Sequence, residues 1–409
     1  MEKKNRVILS SFGDLFFGKT LRLLNKDIEI SYIQGYVPSL TMVKLLKSRL
    51  FGGRTANRLC NRFMPDLKQS IYSTGIIELI SEAILRLPIS EKSGIQAFFH
   101  KVYGNKSTKF IKDADIFQVR SGSGRGGAIK TAKARGMTTV ADHSIAHPFE
   151  MNEILRPEYF KYGVKFSIDP YKPFWKGVLQ DCNDADYILV NSDYVKNTFI
   201  KFGYKKEQIK VIYLGVSDNF LGVKNRYKIK NEARILFVGE FGFRKGGEYI
   251  LKALDLLNKS EFKYKLIIIG PTKGFEKILN NYKDLNIDII GSVSYDALAN
   301  YYKESDIFLF PSLCEGGTRA GMEAMAAGLP ILVTDNCGLP VTNGENGIIV
   351  PIKDYIAIFE QLKRLIASEE LRTKIGIKAT DTIRGKYMVK NYKENLLKFY
   401  DEILKNKDN

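Results

Sequence analysis

The sequence predicts an α/β protein with parallel sheets, divided into two domains. Apolar runs short enough for strands alternate with helical patterns from end to end. At 409 residues the chain is too long for one ordinary core. The third observation is residues 306–334, DIFLFPSLCEGGTRAGMEAMAAGLPILVT, which read strand, loop, helix, strand. Residues 306–310 suit a buried parallel strand, and Pro311 and Ser312 stop it. Glu315, Gly316 and Gly317 turn the chain, and 318–327 is helical in pattern. Gly328 and Pro330 end that helix, and Ile331–Thr334 is the next strand.

The helix at 318–327 has features beyond space filling. Its buried face is Ala320, Gly321, Ala324 and Ala327. An interior glycine costs about 1 kcal/mol relative to alanine, so something is expected to lie close to the backbone. The glycines before it leave N–H groups and a positive dipole end facing the loop, which suits a phosphate. Two carboxylates, Glu315 in the loop and Glu323 in the helix, flank that end.

Taken in order, Arg6–Ser11 is the first strand, followed by the turn Phe12, Gly13, Asp14 and a helix to about Asn25. A second strand is expected at 28–33. Residues 38–110 are mostly helical in pattern, with a basic segment at 44–68 and an apolar helix at 71–87. A strand at 115–119, a glycine-rich loop at 121–127, a helix to Arg135 and a strand at 137–141 follow. Asp142 then opens DHSIAHPFEMNEILRPEYF, which holds two of the three histidines, His143 and His147. They lie at the C-terminal end of a strand, where α/β sheets bind ligands. A histidine there can contact a sugar hydroxyl or a phosphate, neutral or charged near pH 7. His100, in an amphipathic stretch, reads as structural.

The helix at 173–183, the strand Tyr187–Val190, a helix at 193–202 and a strand at 209–213 close the first half. Residues 220–233 are polar, basic and aperiodic, and form the inter-domain linker. The second sheet opens at 234–239. Its turn EFGFRKGG at 240–247 offers Arg244 as a planar fork and Lys245 as a mobile point charge, a pair suited to a pyrophosphate. Strands at 266–270 and 287–290 follow, the latter running into Gly291, Ser292 and Val293. A glycine-bearing loop spans 335–350, and the last helix is expected at 391–404.

Composition limits the partners. With 44% apolar and 26% charged residues the chain reads as a soluble globular protein. No run reaches membrane-span length. The N-terminal apolar run is broken at Gly13 and Asp14, against a signal peptide. The four cysteines form no C-x-x-C pair, so reduced thiols and a cytoplasmic setting are expected, with no metal. The net charge of +18 implies an acidic partner, and no zinc-finger or RNP pattern supports nucleic acid. Between Lys44 and Lys68, seven cations interleave with Leu and Phe against one acid, Asp66. Such a stretch suits an anionic membrane surface or a solvated helix face.

A rival reading rests on Gly122, Gly124 and Gly127. They spell G-x-G-x-x-G after a strand and before a helix, and Asp142 closes the next strand at dinucleotide spacing. On that reading the chain is an NAD-dependent oxidoreductase. The fingerprint sits mid-chain, and no Tyr-x3-Lys pair accompanies it.

Glu315 and Glu323 in E-x7-E, with the diglycine, the small-residue helix and its Gly-Leu-Pro stop, resemble the signature of retaining glycosyltransferases of family 4. ADYILVNSDYVKNTFIKFGY and IKVIYLGV resemble the end of that family's N-terminal domain. The turn at 240–247 is similar to the family's G-R-x-x-x-x-K-G: Lys245 matches the lysine, and Glu240 stands where the arginine is expected, leaving Arg244 to substitute. The resemblance covers most of the chain from Asp115 onward and is weakest over 38–110. It implies the GT-B fold, two Rossmann-like domains facing across a cleft. Residues 1–218, joined by the helix at 388–409, would bind the acceptor, and 219–387 the nucleotide sugar. Glu323 would hold the ribose hydroxyls, and Arg244, Lys245, Gly316, Gly317 and Thr318 the diphosphate. Val293 would lie near the base. Glu315 would fix the sugar, and His147, more than His143, would approach from the first domain, with Gly13 and Asp142 nearby. The implied chemistry retains anomeric configuration, uses a UDP- or GDP-linked donor and needs no cofactor or metal. The implied acceptor is a cell-surface or lipid-linked glycan at the inner membrane face. A GT-B protein that binds nucleotide without transfer is the remaining alternative.

Overall fold

The computed structural model describes residues 5–13, 16–47, 59–89 and 91–408. Its first sheet holds β1 (Arg6–Ser11), β2 (Glu29–Gln34), β3 (Ile71–Ser73), β4 (Ile116–Arg120), β5 (Thr138–His143), β6 (Tyr187–Val190) and β7 (Ile209–Val211), in the order β3-β2-β1-β4-β5-β6-β7. Its second sheet holds β8 (Ala233–Val238), β9 (Tyr264–Ile269), β10 (Ile287–Gly291), β11 (Ile307–Phe310), β12 (Ile331–Thr334) and β13 (Ile348–Val350), in the order β10-β9-β8-β11-β12-β13. Every pairing is parallel. Each order reverses once, between β1 and β4 and between β8 and β11. The loops leaving such a pair part to opposite faces and open a crevice at the strands' C-terminal ends.

Both central strands of the second sheet are apolar because helices cover both faces. Ile307, Phe308, Leu309 and Phe310 are fully buried, as are Ile235, Leu236 and Phe237. Burying each such side chain contributes about 1.5–3 kcal/mol. The register Ile307 to Ile235 and Phe308 to Leu236 then sets the turn after Val238 beside the loop after Phe310.

The helix Val389–Asp408 crosses back to the first sheet, where Tyr392, Leu396, Phe399, Tyr400 and Ile403 enter its core. Tyr400 Oη donates to Gln118 Oε1 on β4 at 2.7 Å. In the other direction, the helix Pro148–Phe160 after β5 sends Met151 and Leu155 into the core of the second domain.

Three expectations change. The apolar helix expected at 71–87 begins instead as β3, because Ile71, Tyr72 and Ser73 pair with Tyr32, Ile33 and Gln34. Gly75, at φ +93°, then breaks the run before the helix Ile77–Arg86. The glycine-bearing loop at 335–350 ends in β13, which a three-residue run was too short to announce. Within the basic segment, Arg62 is no surface cation: it is fully buried, 2.5 and 2.6 Å from the two oxygens of Glu78. The stretch 48–58 of that segment lies outside the described residues.

Candidate active site

The loop after β11 folds a carboxylate back onto the turn after β8. Glu315 Oε1 lies 2.5 Å from Arg244 Nη1 and 2.9 Å from Lys245 Nζ. Ser312 Oγ donates to the Arg244 carbonyl at 2.9 Å and lies 3.3 Å from Glu315 Oε1. Burial alone would raise the Glu315 pKa, but Arg244 and Lys245 outweigh it and hold the carboxyl below its ordinary value. Lys245 Nζ also sits 4.5 Å over the Phe310 ring. Gly246 is needed here: it has φ +75°, and a Cβ at this position would lie 2.1 Å from the Pro311 carbonyl oxygen.

Glu323 sits two turns further along, on the helix Arg319–Ala327. It accepts from Tyr302 Oη at 3.1 Å, and burial raises its pKa against the pull of Arg319. Glu323 also lines a cavity together with Tyr295, Ser217, Asn191, Gly317 and Arg319. Thr318 caps the helix through Oγ1 to the Gly321 N–H at 3.5 Å. The small-residue face answers a helix and a loop: Gly321 abuts Leu339, and Gly376 of the helix Glu369–Lys386 rests on the Gly328 carbonyl. Among the described residues, no backbone acceptor takes the N–H of Gly316 or Gly317.

This loop docks on the first domain. Ser192 Oγ donates to the Gly316 carbonyl, and the Ala146 N–H donates to the Glu315 carbonyl at 3.2 Å. A side chain at Gly316 would overlap the Ser144 carbonyl. Gly316→Ala is therefore expected to destabilise the protein by about 1–3 kcal/mol, read as a lower denaturation midpoint. Gly242→Ala, where nothing lies within 4 Å and the backbone is extended, should leave the midpoint unchanged.

The first domain faces the loop with a cavity of about 180 Å³ lined by Arg120, Asp142, His143, Ser144, Tyr392 and, from across the cleft, Arg319. Arg120 pairs with Asp142 at 2.6 Å and donates to Ser144 Oγ at 2.5 Å. Burial raises the Asp142 pKa against Arg120. His143 Nδ1 lies 2.8 Å from Ser121 Oγ, and burial with Arg120 nearby lowers its pKa to about 3. It is neutral at pH 7.

His147 does not share that cavity. It caps the helix Pro148–Phe160, its Nδ1 accepting from the Phe149 N–H at 3.3 Å. Phe202 stacks on it at 4.6 Å, Phe199 and Tyr204 close its edges, and burial lowers its pKa to about 4. Of the two histidines, His143 lines that cavity, while His147 packs among aromatic rings. Gly13 lies two residues past β1 at the first switch point, where its carbonyl accepts from Ser11 Oγ at 2.6 Å. Val293 is half-buried against the second domain's core, and Tyr295 two residues on lines the Glu323 cavity. Glu240 is exposed in its turn.

The amides of the G-x-G-x-x-G loop already have a carboxyl partner. Asp181 Oδ2, from the helix Pro173–Asp184, accepts the N–H of Gly122 at 2.6 Å and of Gly124 at 2.7 Å. Gly126 presses on the Lys101 carbonyl and Gly104 on that of Arg125, leaving no room for a pyrophosphate. A side chain of this chain fills the place that the oxidoreductase reading needs. A cavity of about 390 Å³ among Lys224, Arg226, Lys228 and Arg234 lies at the opposite, N-terminal edge of β8 and β11. Among the described residues, no cluster of three or more His, Cys, Asp or Glu could hold a metal ion.

Comparison with known proteins agrees with this architecture. Residues 223–382, most of the second domain, match the model of the family Glycosyl transferases group 1. A 41.2 kDa protein of the Klebsiella pneumoniae cps region is 30% identical over 185 residues, 43% of this chain and 51% of that protein. The capsular polysaccharide biosynthesis glycosyltransferase CapM of Staphylococcus aureus is 27% identical over 299 residues, 67% of this chain and 76% of CapM. The chain thus spans about half the length of the Klebsiella relative. Anabaena Alr3699/HepE, solved with UDP and glucose, superposes at a TM-score of 0.61 over 97% of this chain and 99% of its own, at 14% identity. The fold is GT-B.

Proposed function

We propose that the chain transfers a sugar from a UDP- or GDP-linked donor to a glycan acceptor, with retention of configuration and without a metal. The observation that carries this reading is Glu315, held by Arg244 and Lys245 at the switch point of the second sheet and facing the first domain. In the reaction the bond from the sugar carbon to the diphosphate breaks and the acceptor oxygen bonds to that carbon. The diphosphate departs with the electron pair of the broken bond and so gains negative charge, and the acceptor's proton passes to a diphosphate oxygen. Arg244, Lys245 and the amides of Gly316 and Gly317 stabilise that charge as it develops. Glu323 takes the ribose diol, one O–H to each carboxylate oxygen, with Tyr302 orienting it. Glu315 orients the sugar hydroxyls. His143, Asp142 and Arg120 offer polar groups to the acceptor from the first domain. The names of CapM, in capsular polysaccharide biosynthesis, and of HepE, bound to UDP and glucose, support a surface-polysaccharide product and a uridine donor.

A lipid-linked acceptor at an anionic membrane surface fits the helix Leu40–Lys47, where Leu40 and Leu45 are 53% and 47% exposed beside Lys44. No described helix is long and apolar enough to cross a membrane.

The test is thermal shift against UDP, GDP, ADP and NAD, repeated with Glu323→Ala. A ligand at 100 times its Kd adds about 2.7 kcal/mol to native stability. One nucleoside diphosphate should raise the melting temperature of the wild type and lose that effect in the variant. A shift with NAD alone, unchanged in Glu323→Ala, would overturn the reading.

A further inference from the structure

The helix Pro148–Phe160 leaves the first sheet and ends inside the second domain, with Glu158 2% exposed at its last turn. Three groups converge on that carboxylate. Tyr249 Oη donates to Oε2 at 2.6 Å, Lys353 Nζ lies 2.9 Å from Oε1, and Lys161 Nζ lies 3.0 Å from Oε2. Tyr249 and Lys353 belong to the second domain: Tyr249 is in the first turn of the helix Gly247–Asn258, directly after the Arg244–Lys245 turn. Lys353 also donates to the Ile154 carbonyl at 3.2 Å, giving the helix a second anchor. The residues after Glu158 continue the contact, since Tyr159 and Tyr162 pack on Phe243 at ring distances of 4.9 and 5.2 Å. Phe243 adjoins Arg244 and is braced from behind by Phe275 at 5.0 Å.

Lys353 is the one non-glycine residue among those described with a left-handed backbone, at φ +66°. A lysine in that conformation is costly, and surrounding contacts must hold it there. Here those contacts run between domains. The buried carboxylate is as dependent on them: burial would raise its pKa, and Tyr249, Lys353 and Lys161 bring it below the ordinary value.

We propose that Glu158 is a positioning residue of the transfer reaction, a latch by which the first domain holds the Arg244–Lys245 turn in its diphosphate-binding geometry. The inference rests on the proposed function, because it assigns the turn to the donor. It goes beyond it in making donor grip depend on domain closure. Opening the cleft removes Glu158 from Tyr249 and Lys353 and frees Phe243, so the turn loses its brace. The apparent affinity of a ligand falls with the fraction of molecules in the competent state.

The experiment compares wild type, Glu158→Gln, Lys353→Met and the double variant, each with intact helix content by circular dichroism. Two readouts are taken: titration with UDP and GDP, and the radius of gyration by small-angle scattering without ligand. Glu158→Gln and Lys353→Met should each weaken nucleotide binding roughly tenfold and enlarge the particle. The double variant should be no worse than the singles, since both break one contact. Glu158→Asp, keeping the charge, should recover part of the affinity. Wild-type binding with unchanged affinity and size in both singles would overturn the latch and leave the proposed function standing. Absence of nucleotide binding by the wild type, with both singles still enlarged, would overturn the function and leave a structural latch without its role in the reaction.

Discussion

Lys245→Ala is expected to slow sugar transfer by roughly 10²–10³-fold, the cost of removing one preorganised donor from a site where charge develops. The reasoning starts from its surroundings. Lys245 Nζ is held between Glu315 Oε1 at 2.9 Å and the Phe310 ring at 4.5 Å, and its chain lies against Gly239. It therefore arrives oriented, and ordering it costs little when substrate binds. In alanine, Glu315 keeps Arg244 alone, and the net positive charge of the turn that should meet the diphosphate is lost. Both kcat and nucleotide affinity should fall. Glu240→Arg, which places a guanidinium at the exposed position where the related motif carries one, is expected to restore part of the affinity. Steady-state kinetics with the donor found by thermal shift gives the split. A Lys245→Ala enzyme with wild-type kcat/KM would remove the turn from the mechanism.

The parts of the site legible in the sequence are those whose chemistry and neighbours are local. Glu315, the two glycines and Thr318 lie within four consecutive residues, and Arg244 and Lys245 adjoin two more glycines, so composition and spacing expose them together. What the sequence did not show is contact between distant elements. Nothing near Tyr302 marks it as the partner of Glu323, and nothing near Glu158 points to Lys353, 195 positions away and visible only once the helix Pro148–Phe160 enters the second core. The histidines show the same limit. His143 and His147 share one short segment, and only the side on which each ring packs separates cleft from aromatic core. Strand β3 was hidden because Ile71–Ser73 continues an apolar pattern that helix and edge strand share.

The glycine loop at 121–127 is where a motif and its structure part most clearly, and Asp181→Ala tests the reason. The substitution strips two buried N–H groups, those of Gly122 and Gly124, of their common acceptor. Each unsatisfied amide costs on the order of 1–3 kcal/mol, so a loss of roughly 2–6 kcal/mol is expected in chemical denaturation. Asp181→Asn keeps an oxygen in place and should cost far less. Charge then separates these variants by pH. Burial pushes the Asp181 carboxyl up to about 7, against the two amides and Arg125. A carboxyl raised on folding contributes stability that is complete below its unfolded pKa and is lost as pH rises through the folded value. Relative to Asp181→Asn, the wild type should therefore be most stable near pH 4 and lose that advantage by pH 8. The damage should also reach the cleft, because Ser121 of this loop orients His143 at 2.8 Å. Neither variant should gain affinity for NAD, since Gly126 remains packed on the Lys101 carbonyl and the Arg125 carbonyl on Gly104. An Asp181→Ala protein that kept its stability and bound NAD would mean that the loop is a cofactor cradle after all, with Asp181 only its gatekeeper.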